Sequence, residues 1–173
     1  MGKTEENLKI AFSGESQARN KYSFFAEIAR KEGYHYIAKI FEETAENEKR
    51  HAKDELKLLN GIGTTIENLK QAIEGEDYEV KEMYANFAKE AEQEGNIEAA
   101  NLFKQIIKIE AHHRDRYKKI LEMIENGTVF KRDKPIKWKC SVCGYVVENT
   151  EPPKKCPCCK HGFEYYEPAN LDI

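Results

Sequence analysis

The sequence predicts a mainly α fold: a bundle of four long helices followed by a small, separately organised module. Three observations carry this. Residues 1–127 contain neither proline nor cysteine and space their apolar residues at helical intervals. Residues 128–173 hold all five prolines, all five cysteines and the single Trp. The helical region also repeats itself: Tyr22, Phe25, Ala26, Ala29, Glu32 and Gly33 recur 62 residues later as Tyr84, Phe87, Ala88, Ala91, Glu94 and Gly95.

The elements follow in order. A first helix spans about Thr4 to Lys31 and stops at Gly33. A second runs from about His35 to Leu59 and stops at Asn60-Gly61. Thr64 and Glu67 have the spacing of a capping box for a short helix to about Ile73. A third long helix spans about Asp77 to Glu94, and a fourth Ile97 to Glu125, closed by Asn126-Gly127. Two tight hairpins joined by one long crossover is the ferritin-like topology. Lys131–Pro135 reads as a linker, so the domains are expected at 1–134 and 135–173. The repeat continues through Ala38, Phe41, Glu48 and His51, matched by Ala100, Phe103, Glu110 and His113.

With 28 Lys+Arg against 31 Asp+Glu, net charge −3, the chain carries no basic excess for nucleic acid. No apolar run is long enough for a bilayer, so no membrane is expected. The first residues lack the apolar core of a secretory signal, and Asn7 breaks the myristoylation pattern after Gly2. Five cysteines clustered within residues 140–159 read as a metal site in a reducing compartment. A cytoplasmic protein is expected.

Carboxylates stand where a core would be. Glu15 lies seven residues from both Leu8 and Tyr22 in the apolar stripe of the first helix. Ile37, Phe41 and Thr44 lead to Glu48; Phe103 and Ile107 lead to Glu110; Glu79 precedes Met83 and Phe87 by one and two turns. Glutamates gathered in a core repel one another and need a positive partner. Glu48-x-x-His51 and Glu110-x-x-His113 supply the clue. At about 100° per residue, positions i and i+3 face nearly the same way, so each motif aims a carboxylate and an imidazole at one spot. Two Glu-x-x-His motifs with a Glu from each of the other helices form the ligand pattern of di-iron and di-manganese bundles. Glu15 and Glu79 supply the other two helices, and Glu82, three residues after Glu79, is a candidate fifth carboxylate. Tyr22, two turns after Glu15, is a candidate hydrogen-bonding neighbour. The alternative is a polar core with hydrogen-bonded histidines.

Cys140-x-x-Cys143 and Cys156-x-x-Cys159, twelve residues apart, form a four-sulfur site open to zinc or a single iron, with Cys158 left over. A segment this short needs the metal to fold.

Together these residues resemble the rubrerythrin family over essentially the whole chain. The matching stretches are Gly14-Glu15-Ser16-Gln17-Ala18-Arg19, the two Glu-x-x-His motifs, and Gly75-Glu76-Asp77-Tyr78-Glu79-Val80-Lys81-Glu82-Met83-Tyr84. The tail, Trp138-Lys139-Cys140-Ser141-Val142-Cys143-Gly144-Tyr145 with Cys156-Pro157-Cys158-Cys159, looks like the family's rubredoxin-like metal-bound β domain. The resemblance implies a peroxidase reducing hydrogen peroxide to water at a di-iron centre, in oxidative-stress defence. Electrons would come from NAD(P)H through a separate reductase or rubredoxin by way of the cysteine-bound iron. By the same resemblance Glu15, Glu48, Glu79, Glu82, Glu110 and His113 are di-iron ligands, His51 exchanging with Glu82 on reduction. Cys140, Cys143, Cys156 and Cys159 would hold the single iron, and the chain would form a homodimer. Two competing readings are a ferroxidase or iron-storage protein of ferritin type and a non-enzymatic zinc-ribbon interaction protein. The fused four-cysteine module counts against the first, and the core carboxylates against the second.

Overall fold

The computed structural model describes residues 2–170. The chain forms two compact units, Met1–Thr64 and Thr65–Ile173.

The first unit is a helical hairpin of α1 (Lys3–Lys31) and α2 (His35–Leu58). Gly33 turns the chain with φ +86°, a left-handed conformation that costs glycine little. The Tyr34 N–H donates to Ala29 O at 2.8 Å and the Gly33 N–H to Arg30 O at 3.1 Å. These two bonds satisfy carbonyls left open at the helix end. The helices meet through small residues: Ala26, Ala29, Ala38, Ala45 and Ala52 are the buried ones. Arg30 on α1 reaches Glu42 on α2 at 2.5 Å. Larger apolar side chains such as Ile10 (65% exposed) and Phe24 (61%) are left uncovered within this unit.

The second unit opens with α3 (Thr65–Tyr78), which passes through one π-helical turn (Glu79–Met83) into α4 (Tyr84–Gln93). The expected break between a short helix and the third long helix is therefore absent. Gly75 weakens a helix interior by only about 1 kcal/mol, and without proline nothing interrupts the backbone ladder. After a turn at Gly95 (φ +76°), α5 runs over Ile97–Glu125, the span the sequence predicts. The Asn96 side chain caps it, accepting from the Ala99 N–H.

The internal repeat holds in three dimensions. Ala88, Ala91 and Ala100 are buried as Ala26, Ala29 and Ala38 are. Tyr22, Phe25 and Phe41 have ring centroids 6.2, 6.2 and 5.7 Å apart; Tyr84, Phe87 and Phe103 have theirs 6.2, 5.9 and 5.7 Å apart. The Arg30–Glu42 bridge recurs with its charges exchanged, as Glu92–Lys104.

The C-terminal module is a three-stranded antiparallel sheet in the order β2 (Val146–Asn149), β1 (Ile136–Cys140), β3 (Tyr166–Pro168). Trp138, Cys140, Cys156 and Tyr166 form its buried cluster, with Phe130 and Val147 packed against it. The Trp138 indole N–H donates to Asn149 O at 3.0 Å. The stretch expected to be a linker is held in place. The Arg132 N–H donates to Thr150 O, and its guanidinium donates to Thr128 O at 2.7 Å and lies 5.3 Å from the Trp138 ring centroid. The mainly helical class, two hairpins with a long connection and then a small antiparallel module, is the expected one.

Candidate metal centres

Glu15 on α1 and Glu48 and His51 on α2 place one ligand atom each within 4.8 Å of one another. His51 Nδ1 stands 2.8 Å from Glu48 Oε2 and 3.6 Å from Glu15 Oε2. The i, i+3 spacing on α2 stacks the imidazole on its carboxylate, and the hairpin brings Glu15 across. Glu15 is held above the ordinary carboxylate range, first by its hydrogen bond to Glu48, then by burial and the Glu48 charge, with His51 pulling it back.

The second unit repeats the triad with Glu76, Glu110 and His113. His113 Nδ1 is 2.6 Å from Glu110 Oε2 and 3.9 Å from Glu76 Oε2. Burial raises Glu76, and the hydrogen bond and charge of Glu110 add to it against His113; the Glu79 charge also contributes. Glu79 is raised by burial and then by Glu110, again against His113, so it stands beside the same group. Tyr84 is raised by burial and by Glu79 and Glu110. Asp77, next to Glu76, is tied to Arg114 on α5 at 3.2 Å, which fastens α3 where the triad forms.

Of the residues named from sequence, the structure gathers Glu15, Glu48 and His51 in one unit, and Glu110 and His113 in the other with Glu79 adjacent. Tyr22 sits in the aromatic trio beyond Glu15. Glu82 is exposed and stands outside the gathered groups, whereas Glu76, which the sequence reading passed over, is inside. The π turn is the reason. It closes with i→i+5 bonds, so three residues past Glu79 no longer return to the same face. It also takes up one extra residue, so the repeat relates Glu15 to Glu76 at an offset of 61 before the turn and Tyr22 to Tyr84 at 62 after it. A fixed offset of 62 pairs Glu15 with Asp77, one position off. Tyr84 joins the site as well; in the sequence it stands out only as the repeat partner of Tyr22 and as the end of the stretch Gly75–Tyr84.

In each unit carboxylates held above their ordinary range stand beside one histidine, an arrangement that fits a cation, and the mixed oxygen and nitrogen donors suit iron. These are the di-iron site residues of the helical part.

In the C-terminal module Cys140, Cys143, Cys156 and Cys159 converge, with sulfur separations of 3.6 Å (Cys140–Cys159) and 3.7 Å (Cys143–Cys156). A disulfide needs about 2.05 Å. A tetrahedral metal with sulfur bonds of about 2.3 Å needs edges of about 3.8 Å, so the four thiols fit one ion. Two matching turns carry them. The Gly144 N–H donates to Cys140 O at 2.8 Å, and the Lys160 N–H to Cys156 O at 3.0 Å. Both residues have positive φ, +77° at Gly144 and +66° at Lys160. The Cys156 thiol is pushed up by burial, but the Tyr166 hydroxyl and the backbone N–H groups of Cys159 and Cys158 bring it down to about 6. The extra thiol, Cys158, is exposed and stands outside the four.

Comparison with known proteins agrees with both centres. The family model described as rubrerythrin matches residues 6–121, and that described as the rubrerythrin rubredoxin-like domain matches 138–167. The chain is 48% identical to a rubrerythrin of Porphyromonas gingivalis, covering 98% of this chain and 92% of that one. It is 40% identical to a rubrerythrin of Nitratidesulfovibrio vulgaris, with 95% and 93% covered. Among solved structures, fully reduced, all-ferrous nigerythrin aligns at 32% identity and a TM-score of 0.38 over 97% of this chain and 87% of that one. With a family model spanning most of its length, and its ligand sets built on two helical hairpins and a four-cysteine module, the chain belongs to the rubrerythrin family of iron-dependent oxidative-stress proteins.

Proposed function

We propose that the protein is a peroxidase that reduces hydrogen peroxide to water at the di-iron centre, with electrons supplied through the cysteine-bound iron. The observation that carries this reading is the presence of both ligand sets in one chain: two Glu-Glu-His triads and a tetrahedral four-sulfur site. A storage protein has no use for a dedicated one-electron relay.

In this reading Glu15, Glu48, Glu76, Glu79, Glu110 and His113 hold the two irons, with His51 beside Glu48. The cysteine module is the functional domain 135–173, following the helical domain 1–134. Iron bound in the triads supplies the two electrons that cleavage of the O–O bond consumes. The carboxylates hold negative charge against the cations, so the centre stays near neutrality as electrons arrive. His51 and His113, each hydrogen-bonded to a carboxylate, have their ring orientation fixed. Tyr84, beside Glu79 and Glu110, and Tyr22, at the matching place in the other hairpin, are hydroxyl donors for oxygen species near the centre. A reductase or rubredoxin feeding the cysteine site, a homodimer, and a cytoplasmic location complete the proposal. The cysteines' use as metal ligands fits a reducing compartment, and no helix among the described residues is long and apolar enough to cross a membrane.

The test is to reduce the iron-loaded protein anaerobically, add hydrogen peroxide, and follow the visible absorption of the iron–thiolate site. Recovery of the oxidised band within seconds, abolished by Glu48→Ala, is the expected result. A site that stays reduced for minutes in peroxide refutes the proposal.

A further inference from the structure

Every buried side chain of the helical region, among the described residues, is an alanine. Helical bundles ordinarily close over Leu, Ile and Phe. The faces that carry the ligands are open as well. The His51 side chain is 57% exposed and that of His113 38%. Phe25 and Phe87, at matching places in the two aromatic trios, are 46% and 41% exposed. Each triad also draws all its ligand atoms from a single hairpin. A two-metal bundle centre takes its ligands from four helices, so each hairpin needs one of the other kind against it, triad facing triad.

The length of the connection decides which chain supplies that hairpin. A ferritin-like bundle joins its second and third helices by a long crossover, which runs back along the bundle so that both helices start at the same end. Here most of that connection is helix, the first turns of α3, and only residues 59–64 lie between α2 and α3. The first of these are spent on ending α2: the N–H groups of Leu59, Asn60 and Gly61 donate back to the carbonyls of Glu55, Lys57 and Leu56. From Gly61 to Thr65 the chain reaches at most about 14 Å. The 24 residues of α2 extend about 36 Å. So short a connection cannot carry the chain back along α2 before α3 begins.

We propose that a second copy of the chain completes the bundle: α1 and α2 of each protomer close on α3, α4 and α5 of the other. Each two-iron centre then takes Glu15, Glu48 and His51 from one protomer and Glu76, Glu110 and His113 from its partner. The hairpins suit one another because they are copies of one unit, which pack like face to like face about a two-fold axis. This deepens the proposed homodimer by naming what its subunits share. It rests on iron held by the two triads and not on peroxide reduction.

Two differently tagged chains test it. One carries Glu48→Gln and His51→Gln, the other Glu110→Gln and His113→Gln. They are co-expressed, and the species carrying both tags is isolated and loaded with iron. With exchanged hairpins, one centre of this heterodimer holds all four substitutions and the other is wholly wild type. Helical iron, counted above the single cysteine-bound ion per chain, is expected at about half the wild-type level, against near zero in either variant alone. A doubly tagged species with no more helical iron than the mean of the two variants overturns the proposal, as does the absence of any doubly tagged species. Should either variant lose its helix content by circular dichroism, a chain with all its ligands decides. An insertion of about 20 Gly and Ser residues after Gly61 lets each chain close on itself, at an effective concentration far above micromolar protein. Light scattering should then show monomers with unchanged iron per chain, and a dimer persisting as in wild type overturns the proposal. Wild type without helical iron refutes the ligand sets themselves, a result distinct from iron-loaded wild type with an empty heterodimer.

Discussion

Glu76→Gln is the substitution that most directly separates the ligand set seen in the structure from the one expected from spacing. The Glu76 carboxylate lies 3.9 Å from His113 Nδ1, in a triad whose other carboxylate is 2.6 Å from the same nitrogen. Its side chain is 18% exposed, so solvent screens it only in part. Replacing it with an amide keeps the shape and removes one unit of charge from the cation's surroundings. Two unit charges about 4 Å apart at an effective dielectric constant of about 20 interact by about 4 kcal/mol. At 1.4 kcal/mol per decade, that is about a thousandfold in affinity. Glu82→Gln alters an exposed carboxylate outside the triad, where screening holds the effect to roughly 0.5 kcal/mol, about twofold. The assay is competition with a ferrous chelator under anaerobic conditions, with the absorption of the cysteine-bound iron as an internal measure of folded protein. The expected order is wild type close to Glu82→Gln, and Glu76→Gln far weaker. If Glu76→Gln holds iron as tightly as wild type, or Glu82→Gln loses as much, the triad is not the binding unit.

Three further outcomes follow from the same geometry. Deleting Lys81 removes the extra residue that the π turn absorbs and leaves Glu76 seven residues before Tyr84, as Glu15 stands before Tyr22. Iron per chain should then stay near that of wild type, with helix content by circular dichroism nearly unchanged, and a fall to the single cysteine-bound ion would refute this account of the turn. Lys160→Gly relieves a left-handed backbone at a non-glycine residue, which costs roughly 1–2 kcal/mol, and should raise the unfolding free energy of the iron-loaded protein, read from chemical denaturation, by about 1 kcal/mol. In metal-free protein, Glu15, Glu76 and Glu79 have folded pKa values raised above the ordinary 4.5. Their contribution to stability is fully present below pH 4.5 and is lost as pH rises through the raised values. Asp77 and Asp115, held low by Lys81 and by Arg114, contribute in the opposite direction, above pH 3.8. Chemical denaturation of metal-free Glu15→Gln between pH 4.5 and 7 should therefore show less loss of stability with rising pH than wild type, and an identical slope would refute the carboxylate coupling.

What the sequence made legible, and what it did not, follows from how local each signal is. Turns were legible because the chain needs a positive φ at helix ends and glycine supplies it: Gly33, Gly95 and Gly127 each take one, at +86°, +76° and +65°. The Glu-x-x-His motifs were legible because i and i+3 share a face in any regular helix, and both proved to be hydrogen-bonded pairs. The four cysteines needed only their spacing. Glu76 was illegible because its placement depends on a π turn, which has no distinctive residue pattern: Glu79-Val80-Lys81-Glu82-Met83 looks like an ordinary stretch of helix. Yet the clue was present in the repeat. Glu48 and Glu110, His51 and His113, and Tyr22 and Tyr84 all pair at 62, while Glu15 meets an aspartate at 62 and a glutamate at 61. A repeat that loses its chemistry at one offset and regains it one residue earlier has gained a residue in between. In a helix, a single added residue is most easily absorbed as a π turn. The glutamates on its N-terminal side thereby keep their facing although they stand one position earlier in the repeat. The irregular turn thus keeps Glu76 and Glu79 both facing His113 and Glu110, which a regular helix, pairing residues three apart but carrying the whole repeat at 62, would have given to Asp77 and Val80 instead.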